Sequence, residues 1–555
     1  MLYLQSNKKI IKSVSPPQNS QLINIMTLKT KKLFLAGGLF LSLGLFLPFS
    51  AAFANNLSIT NVSLEDRDTG ADTVIVEFDI AWNNSWRDTT NHDAVWIIFK
   101  ATKSSVIYHG NMKTAGTNPS GTSPGSNKDL EIYVPTDKKG AFIRRKSTGS
   151  GTVTSENVRL KLDYVASPLS AVDTDTISVK VIGMEMVFIP SATFYAGDTS
   201  GAGPFQQGSS DTEPWVISNE GSIFVSNITS NGYYYTKGGA LDTYDAATGS
   251  TFTIPYNFPK GYAAFYCMKY EITEGQWVDF INTLTAAQQT NRDITSSANS
   301  GKNADTVLTR NTIAQSGTGT AAASTSRPDR AMTYLGWMDL CAYLDWAALR
   351  PMTELEYEKV ARGPLMPVSG EYAWGSASIT AAATISGSLE PGTETISTAG
   401  ANANYNNTSL SGGDTFQGSA YQTGPLRGGI FATGSSTRDA SGAGYYGVME
   451  LSGNVWERTV TVGNSEGRNF TGSHGDGVLV SVSGYEGNAN AAAWPHADTQ
   501  SSARGVTKSD GSGFRGASWA DNGSLTISGR TYGAWRDGSR NNKYGGHGVR
   551  TYDGS

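Results

Sequence analysis

The sequence predicts a β-rich, multidomain protein: an N-terminal antiparallel β-sandwich of immunoglobulin-like type, followed by an α+β domain with little regular secondary structure. Three observations predict it. Apolar residues alternate with polar ones along several early stretches. Three short segments further on carry apolar residues at helical spacing. Between them run loops so rich in Gly, Ser, Thr and Asn that glycine reaches 63 residues while charged residues make up only 16%. Such a balance suits a loop-rich extracellular protein better than a helical cytosolic one, and 555 residues exceed one ordinary core.

The N-terminus reads as a secretory signal. Lys29, Lys31 and Lys32 precede the apolar run "LFLAGGLFLSLGLFLPFSAAFA", and Ala52-Phe53-Ala54 fits the small-x-small cleavage rule, with Met26 as the start. Residues 1–54 are therefore expected to be a removed extension, leaving no stable membrane span and a secreted or cell-surface chain. That segment holds six lysines and no acids, so its loss takes the net charge from −5 to −11. An acidic balance of this size argues against nucleic acid and anionic membranes as partners.

Residues 55–182 are expected to form the sandwich. Val74, Val76, Phe78, Ile80 and Trp82 alternate with polar residues, as do Val158, Leu160, Leu162 and Tyr164, and then Ile177, Val179 and Val181. Turn clusters such as "TAGTNPSGTSPGSN" separate them. Trp82, Trp86 and Trp96 are expected to fill its core; an exposed sugar-binding platform is the alternative.

At "GMEMVFIPSATFYAGD", Gly183 to Asp198, the character changes, and a second domain is expected over residues 183–555. Thr273-Glu-Gly-Gln276 is a capping box, with Trp277, Phe280, Ile281 and Leu284 behind it on one helical face. Trp337, Leu340, Cys341 and Leu344 mark a second helix. Thr353-Glu-Leu-Glu356 caps a third, which stops at Gly363-Pro364. The stretch near 290–326 reads as a low-complexity surface insertion.

Two short motifs fail on context. Gly121-Thr-Ser123-Pro-Gly125 matches a nucleophile elbow without the helix that must follow. Gly442-Ala-Gly444-Tyr-Tyr-Gly447 matches a dinucleotide fingerprint without a βαβ unit. None of the five histidines (92, 109, 474, 496, 547) has a His or Cys partner at metal-ligand spacing. Only Cys267 and Cys341 exist, so a disulfide framework is absent.

Six blocks carry a resemblance: "GMEMVFIPSATFYAGD", "FYCMKYEITEGQWVDFIN", "YLGWMDLCAYLDWAALRPMTELEYEKVARG", "EYAWGS", "YYGVMELSGNVWERT" and "FRGASW". Their order over residues 183–550 resembles the formylglycine-generating (sulfatase-modifying factor) enzyme family. The resemblance implies a C-type-lectin-like fold. In catalytic members two cysteines just after the last block bind copper and activate oxygen, because soft thiolate sulfur selects Cu(I). Here that segment, "FRGASWADNGSLTISGRTYGAWRDGSRNNKYGGHGVR", has no cysteine, so copper is not expected, and "GHGVR" departs from the usual Gly-Phe-Arg ending. The resemblance also implies two structural calcium sites. One comprises Asn404 and Asp414 with the carbonyls of Tyr405 and Phe416. The other comprises Glu450 and Glu457 with the carbonyls of Gly453 and Val455, above Trp456. The alternative is that Glu450 and Glu457 pair with nearby arginines and solvent.

The expected function is a secreted, non-catalytic surface protein. It would bind another surface protein or a glycan, or self-associate into an extracellular layer or fibre. The alternative is a diverged copper-dependent formylglycine-generating oxidase acting on protein cysteine.

Overall fold

Strands β1 (Ser58–Asp68), β2 (Thr73–Arg87), β3 (Asp93–Lys103), β4 (Val106–Met112), β5 (Leu130–Tyr133), β6 (Ala141–Arg145), β7 (Gly149–Asp163) and β8 (Ile177–Ile189) build the N-terminal part. The structure is a computed structural model and describes residues 57–113, 130–199, 204–207, 213–227, 232–390, 392–498 and 503–554. The signal segment and the Gly121–Gly125 motif lie outside the described residues.

These strands run antiparallel in the order β1-β2-β7-β4-β3-β8, with β6 also on β3 and β5 on β6. The sheet does not stop there. Beyond β8 it continues through the strands Phe265–Met268, Gly548–Thr551 and Arg350–Pro351. The boundary expected at 182/183 therefore falls inside one continuous strand, and the described residues belong to one compact unit.

Strand β3 shows why. Its first nine residues, Asp93 to Ala101, are all buried. Val95, Ile97, Phe99 and Ala101 face the N-terminal core, while Ala94, Trp96 and Ile98 face the core built by the helices. A near-continuous apolar run of this kind is what a strand covered on both faces requires. Of the three tryptophans expected in the sandwich core, only Trp82 lies there. Trp96 points the other way and donates its indole N–H to the Ala347 carbonyl at 2.9 Å. Trp86 is half-buried and packs on the C-terminal core.

The expected helices form as α1 (Glu274–Ile281), α3 (Trp337–Trp346) and α4 (Glu354–Arg362), with capping boxes at Thr273 and Thr353 and Gly363 closing α4 at φ 70°. Leu284 follows the end of α1. An unexpected helix, α2 (Ala286–Arg292), has its own capping box at Thr285. The stretch 290–326 is not a surface insertion. Ile294 and Ile313 enter the main core, and Arg292 and Arg310 are buried on Asp339 and Glu390. Its small polar residues give no periodic signal because side-chain hydrogen bonds, not an apolar stripe, hold it in place.

Every residue of α4 is buried, although its sequence is ELEYEKVAR. Its charges are paired: Glu356 takes Arg350 bidentately at 2.8 and 2.6 Å. Glu354 takes Arg515 and Arg530, and Glu358 takes Arg515 and Arg362. Among the described residues no helix is long and apolar enough to cross a membrane.

Because β3 is a shared wall, Trp96→Ala should cost about 3–5 kcal/mol. The N- and C-terminal halves should melt together in one transition, followed by hydrogen exchange of amides in both. Two separated transitions would show that the halves are independent.

Candidate functional site: the Glu450–Glu457 turn

The turn is built on left-handed backbone. Glu450 (φ 57°), Gly453 (97°) and Asn454 (60°) all have positive φ, which is uncommon for residues other than glycine. Gly453 is required here: a Cβ would lie 2.6 Å from the Asn404 carbonyl oxygen.

The turn is a junction for four other segments. Its Gly453 N–H donates to the Gly516 carbonyl, and the Asn454 carbonyl accepts from the Trp519 N–H, each at 2.8 Å. The Asn454 side chain donates to Glu271 Oε2 at 2.5 Å and to the Leu426 carbonyl at 3.3 Å. It accepts from the Leu426 N–H at 2.8 Å and from Asn404 Nδ2 at 3.0 Å. Val455 N–H donates to Glu271 Oε1 at 3.0 Å. Trp456 packs edge-to-face against Phe514 and Tyr532. A buried amide saturated in this way fixes one loop arrangement.

The acids of the turn have different fates. Glu457 is fully buried; His547 Nδ1 lies 2.8 Å from its Oε1, and the His547 N–H donates to its Oε2 at 3.0 Å. Glu450 accepts the Gly429 N–H at 2.6 Å through Oε1, while Oε2 is buried without a hydrogen-bond partner among the described residues. Burial pushes the Glu450 carboxyl up to about 8, with Glu457 adding to it and Arg427 opposing. Burial, then Glu457 and Glu450, likewise push Glu271 well above the usual carboxylate range.

The two side chains expected at the first calcium site have separate partners. Asn404 donates to the Gly424 carbonyl and to Asn454, and its Oδ1 accepts from Asn407 at 3.0 Å. Asp414 is held elsewhere: Arg327 grips it through both oxygens at 2.6 Å and Arg330 adds a third bond at 2.8 Å. Tyr405 is a half-buried ring against the turn's aromatic cluster, and Phe416 belongs to the one-turn 3-10 helix Asp414–Gln417. Guanidinium groups thus stand where the expectation placed a cation. At the second site Gly453 and Val455 share the turn with Glu450 and Glu457, but only Glu450 retains an uncommitted carboxylate oxygen. Calcium, which takes six to eight oxygens, does not fit either donor set. Among the described residues no cluster of three or more His, Cys, Asp or Glu is placed to hold a metal ion.

The thiols are apart. Cys267 sits in the strand Phe265–Met268 in one core cluster, and Cys341 sits in α3 in another; both are free and buried. Burial pushes both thiols well above their ordinary range, which disfavours the reactive thiolate. After Trp519 the segment offers Asp521, paired with Lys543 at 3.2 Å, and hydroxyls such as Thr526 and Ser528.

Sequence reasoning missed Asn454, Glu271 and His547. Asn454 and Glu271 were visible as the polar residues of the "ELSGNVW" and "YEITEGQW" blocks. His547 marks the departure at "GHGVR", the place where Glu457 finds its partner.

Residues 237–546 match the model of the sulfatase-modifying factor enzyme 1-like domain, over half of the chain. The chain belongs to this family. No curated protein matches it.

Two outcomes are expected. With Asp414 and Glu457 already committed, millimolar calcium or EDTA should leave the Tm unchanged; a Tm raised by calcium would show that the ion displaces the arginine or histidine partners. The second concerns pH. Below the ordinary carboxyl value of 4.5 both folded and unfolded chains hold the Glu450 proton. As pH rises towards 8 the unfolded chain releases it first, so stability falls across that window. Glu450→Gln should shrink this loss, measured as Tm at pH 5 and pH 8 for both proteins.

Proposed function

We propose that the chain is a secreted, non-catalytic member of its family, serving as a surface scaffold that self-associates or binds another surface molecule. The observation that carries the reading is the thiol inventory: its two cysteines are buried in different cores and none follows Trp519. Copper-dependent oxygen activation of the kind implied for the catalytic members needs accessible thiolate ligands, the soft donors that select Cu(I). Aspartate and hydroxyl oxygens are hard donors and do not replace them.

The surface supports association. Phe224, Leu241 and Tyr256 are more than 60% exposed, and Leu365, Met366 and Val368 crown one loop. With few charges to desolvate, such surfaces pack against one another at low cost.

Copper-loaded protein with a cysteine-containing peptide should consume no oxygen above the copper-only background and leave the peptide's mass unchanged. Peptide oxidation that survives Cys267→Ser and Cys341→Ser would establish the diverged oxidase instead. In parallel, sizing and electron microscopy of concentrated protein should show multimers; a monomer at every concentration removes self-association and leaves capture of a partner.

A further inference from the structure

The register of three neighbouring strands gathers a lysine and two acids on one buried sheet face. On β3, Asp93 pairs with Val187 of β8, and Val95 pairs with Glu185. On the other side of β8, Met268 pairs with Met186, and the Lys269 N–H donates to the Glu185 carbonyl at 2.9 Å. Side chains two apart share a face, so Asp93 and Glu185 project together and Lys269 joins them from the strand end. Lys269 Nζ lies 3.2 Å from Glu185 Oε2 and 4.0 Å from Asp93 Oδ2. All three are buried, Asp93 completely. The indole of Trp86 covers the amine, its centroid 5.0 Å from Nζ, with Tyr270 at 5.5 Å.

Asp93 is held more firmly than an ion pair needs. Oδ1 accepts from Ser85 Oγ at 2.8 Å and from the Trp86 N–H at 3.0 Å; Oδ2 accepts from Trp82 Nε1 at 3.0 Å. Two fixed donors on one carboxyl oxygen are the arrangement that stabilises the oxyanion of acyl transfer. A lysine amine is a competent nucleophile once deprotonated. A second carboxylate beside it serves as general base and then general acid. Burial also pushes the Asp93 carboxyl up, favouring the protonated acid that such an attack requires.

We propose that Lys269 and Asp93 form an intramolecular amide cross-link, with Glu185 as the proton shuttle. Glu185 carries one proton from the Lys269 ammonium to Asp93 Oδ2, leaving a neutral amine and a neutral acid. The freed Nζ attacks Asp93 Cγ, and the negative charge develops on Oδ1, between Ser85 and Trp86 N–H. Glu185 then takes a second proton from Nζ and delivers it to the departing Oδ2; the Cγ–Oδ2 bond breaks, the Nζ–Cγ bond remains with one hydrogen on Nζ, and one water leaves. Ammonium plus carboxylate gives amide plus water, so charge and atoms balance with no oxidant or cofactor. The bond would fasten β3 to the chain just beyond the strand Phe265–Met268, across β8. It would tie the N-terminal strands covalently to the family domain. Holding the reacting groups in one dry site supplies the rate advantage that separated groups lack.

The test is the mass of the full mature chain, unfolded in guanidinium, with its N-terminus read by sequencing. The expected mass is lower than the sequence mass by one water. Proteolysis should yield a branched peptide joining Asp93 to Lys269. Lys269→Arg, Asp93→Ala and Glu185→Gln should each restore the full mass. The wild-type measurement does not depend on whether any variant folds. A wild-type chain of full sequence mass, fresh and after prolonged incubation, overturns the proposal and leaves a buried ion triad. Loss of water mapped to a succinimide at another aspartate overturns it equally.

Discussion

The pairing of α4 with arginines from distant segments is the constraint on which the rest of the structure depends. A helix reading ELEYEKVAR enters the protein interior only if each of its carboxylates meets a cation there. Those cations come from Arg350 before the helix and from Arg515 and Arg530 far beyond it, with Asp245 completing the circuit through Arg530 at 2.5 Å. Removing one member of a buried pair strands the other and costs about 3–5 kcal/mol. Replacing such pairs by apolar residues often costs nothing, so their role here is positional. The seated helix is held by Arg515 and Arg530, and through Arg530 by Asp245, and these pairs fix the loops that carry them.

The same device recurs wherever ladder hydrogen bonds are scarce. Arg310, Arg327 and Arg330 surround Glu390 and Asp414. Burial pushes the Glu390 carboxyl up, but Arg330 and Arg310 outweigh this and hold it at about 2. Lys260 donates to the Pro255 and Phe258 carbonyls, and Lys359 to those of Pro190 and Tyr262. These side-chain cations do what a bound ion does in other loop-rich folds: they gather oxygens from segments with no strand to share. A guanidinium differs from calcium in being covalently attached, so its hold does not depend on ion concentration in the surroundings.

Much of this was legible in the sequence, and the failures have one physical origin. The capping boxes at Thr273 and Thr353 gave their helices because a cap is local, set by four consecutive residues. Strand alternation in β2 and β7 gave the N-terminal sheet for the same reason. Trp96 was misplaced because "DAVWIIFKA" has no alternation to read: both faces are covered, and only the tertiary structure decides which face meets which core. The stretch 290–326 was misread as surface because its burial rests on Arg292 and Arg310 meeting acids 47 and 80 residues away. Period and composition do not encode such partners. At Asp414 the family resemblance implied an ion, and the structure places Arg327 and Arg330 on that carboxylate.

The turn at Glu450–Glu457 and the triad at Asp93, Glu185 and Lys269 are mechanically one feature. The Lys269 carbonyl accepts the Met449 N–H at 2.9 Å, immediately before the turn, and Glu271, two residues beyond Lys269, grips Asn454 and Val455 within it. A bond at Lys269 would therefore act two residues from Glu271, which holds the junction that orders Asn404, Leu426 and Trp519. A protein whose family domain is mostly loops gains little from adding single hydrogen bonds at its periphery. A bond at the residue that contacts both the N-terminal sheet and the segment before the central turn would link the two. Lys269 occupies that position.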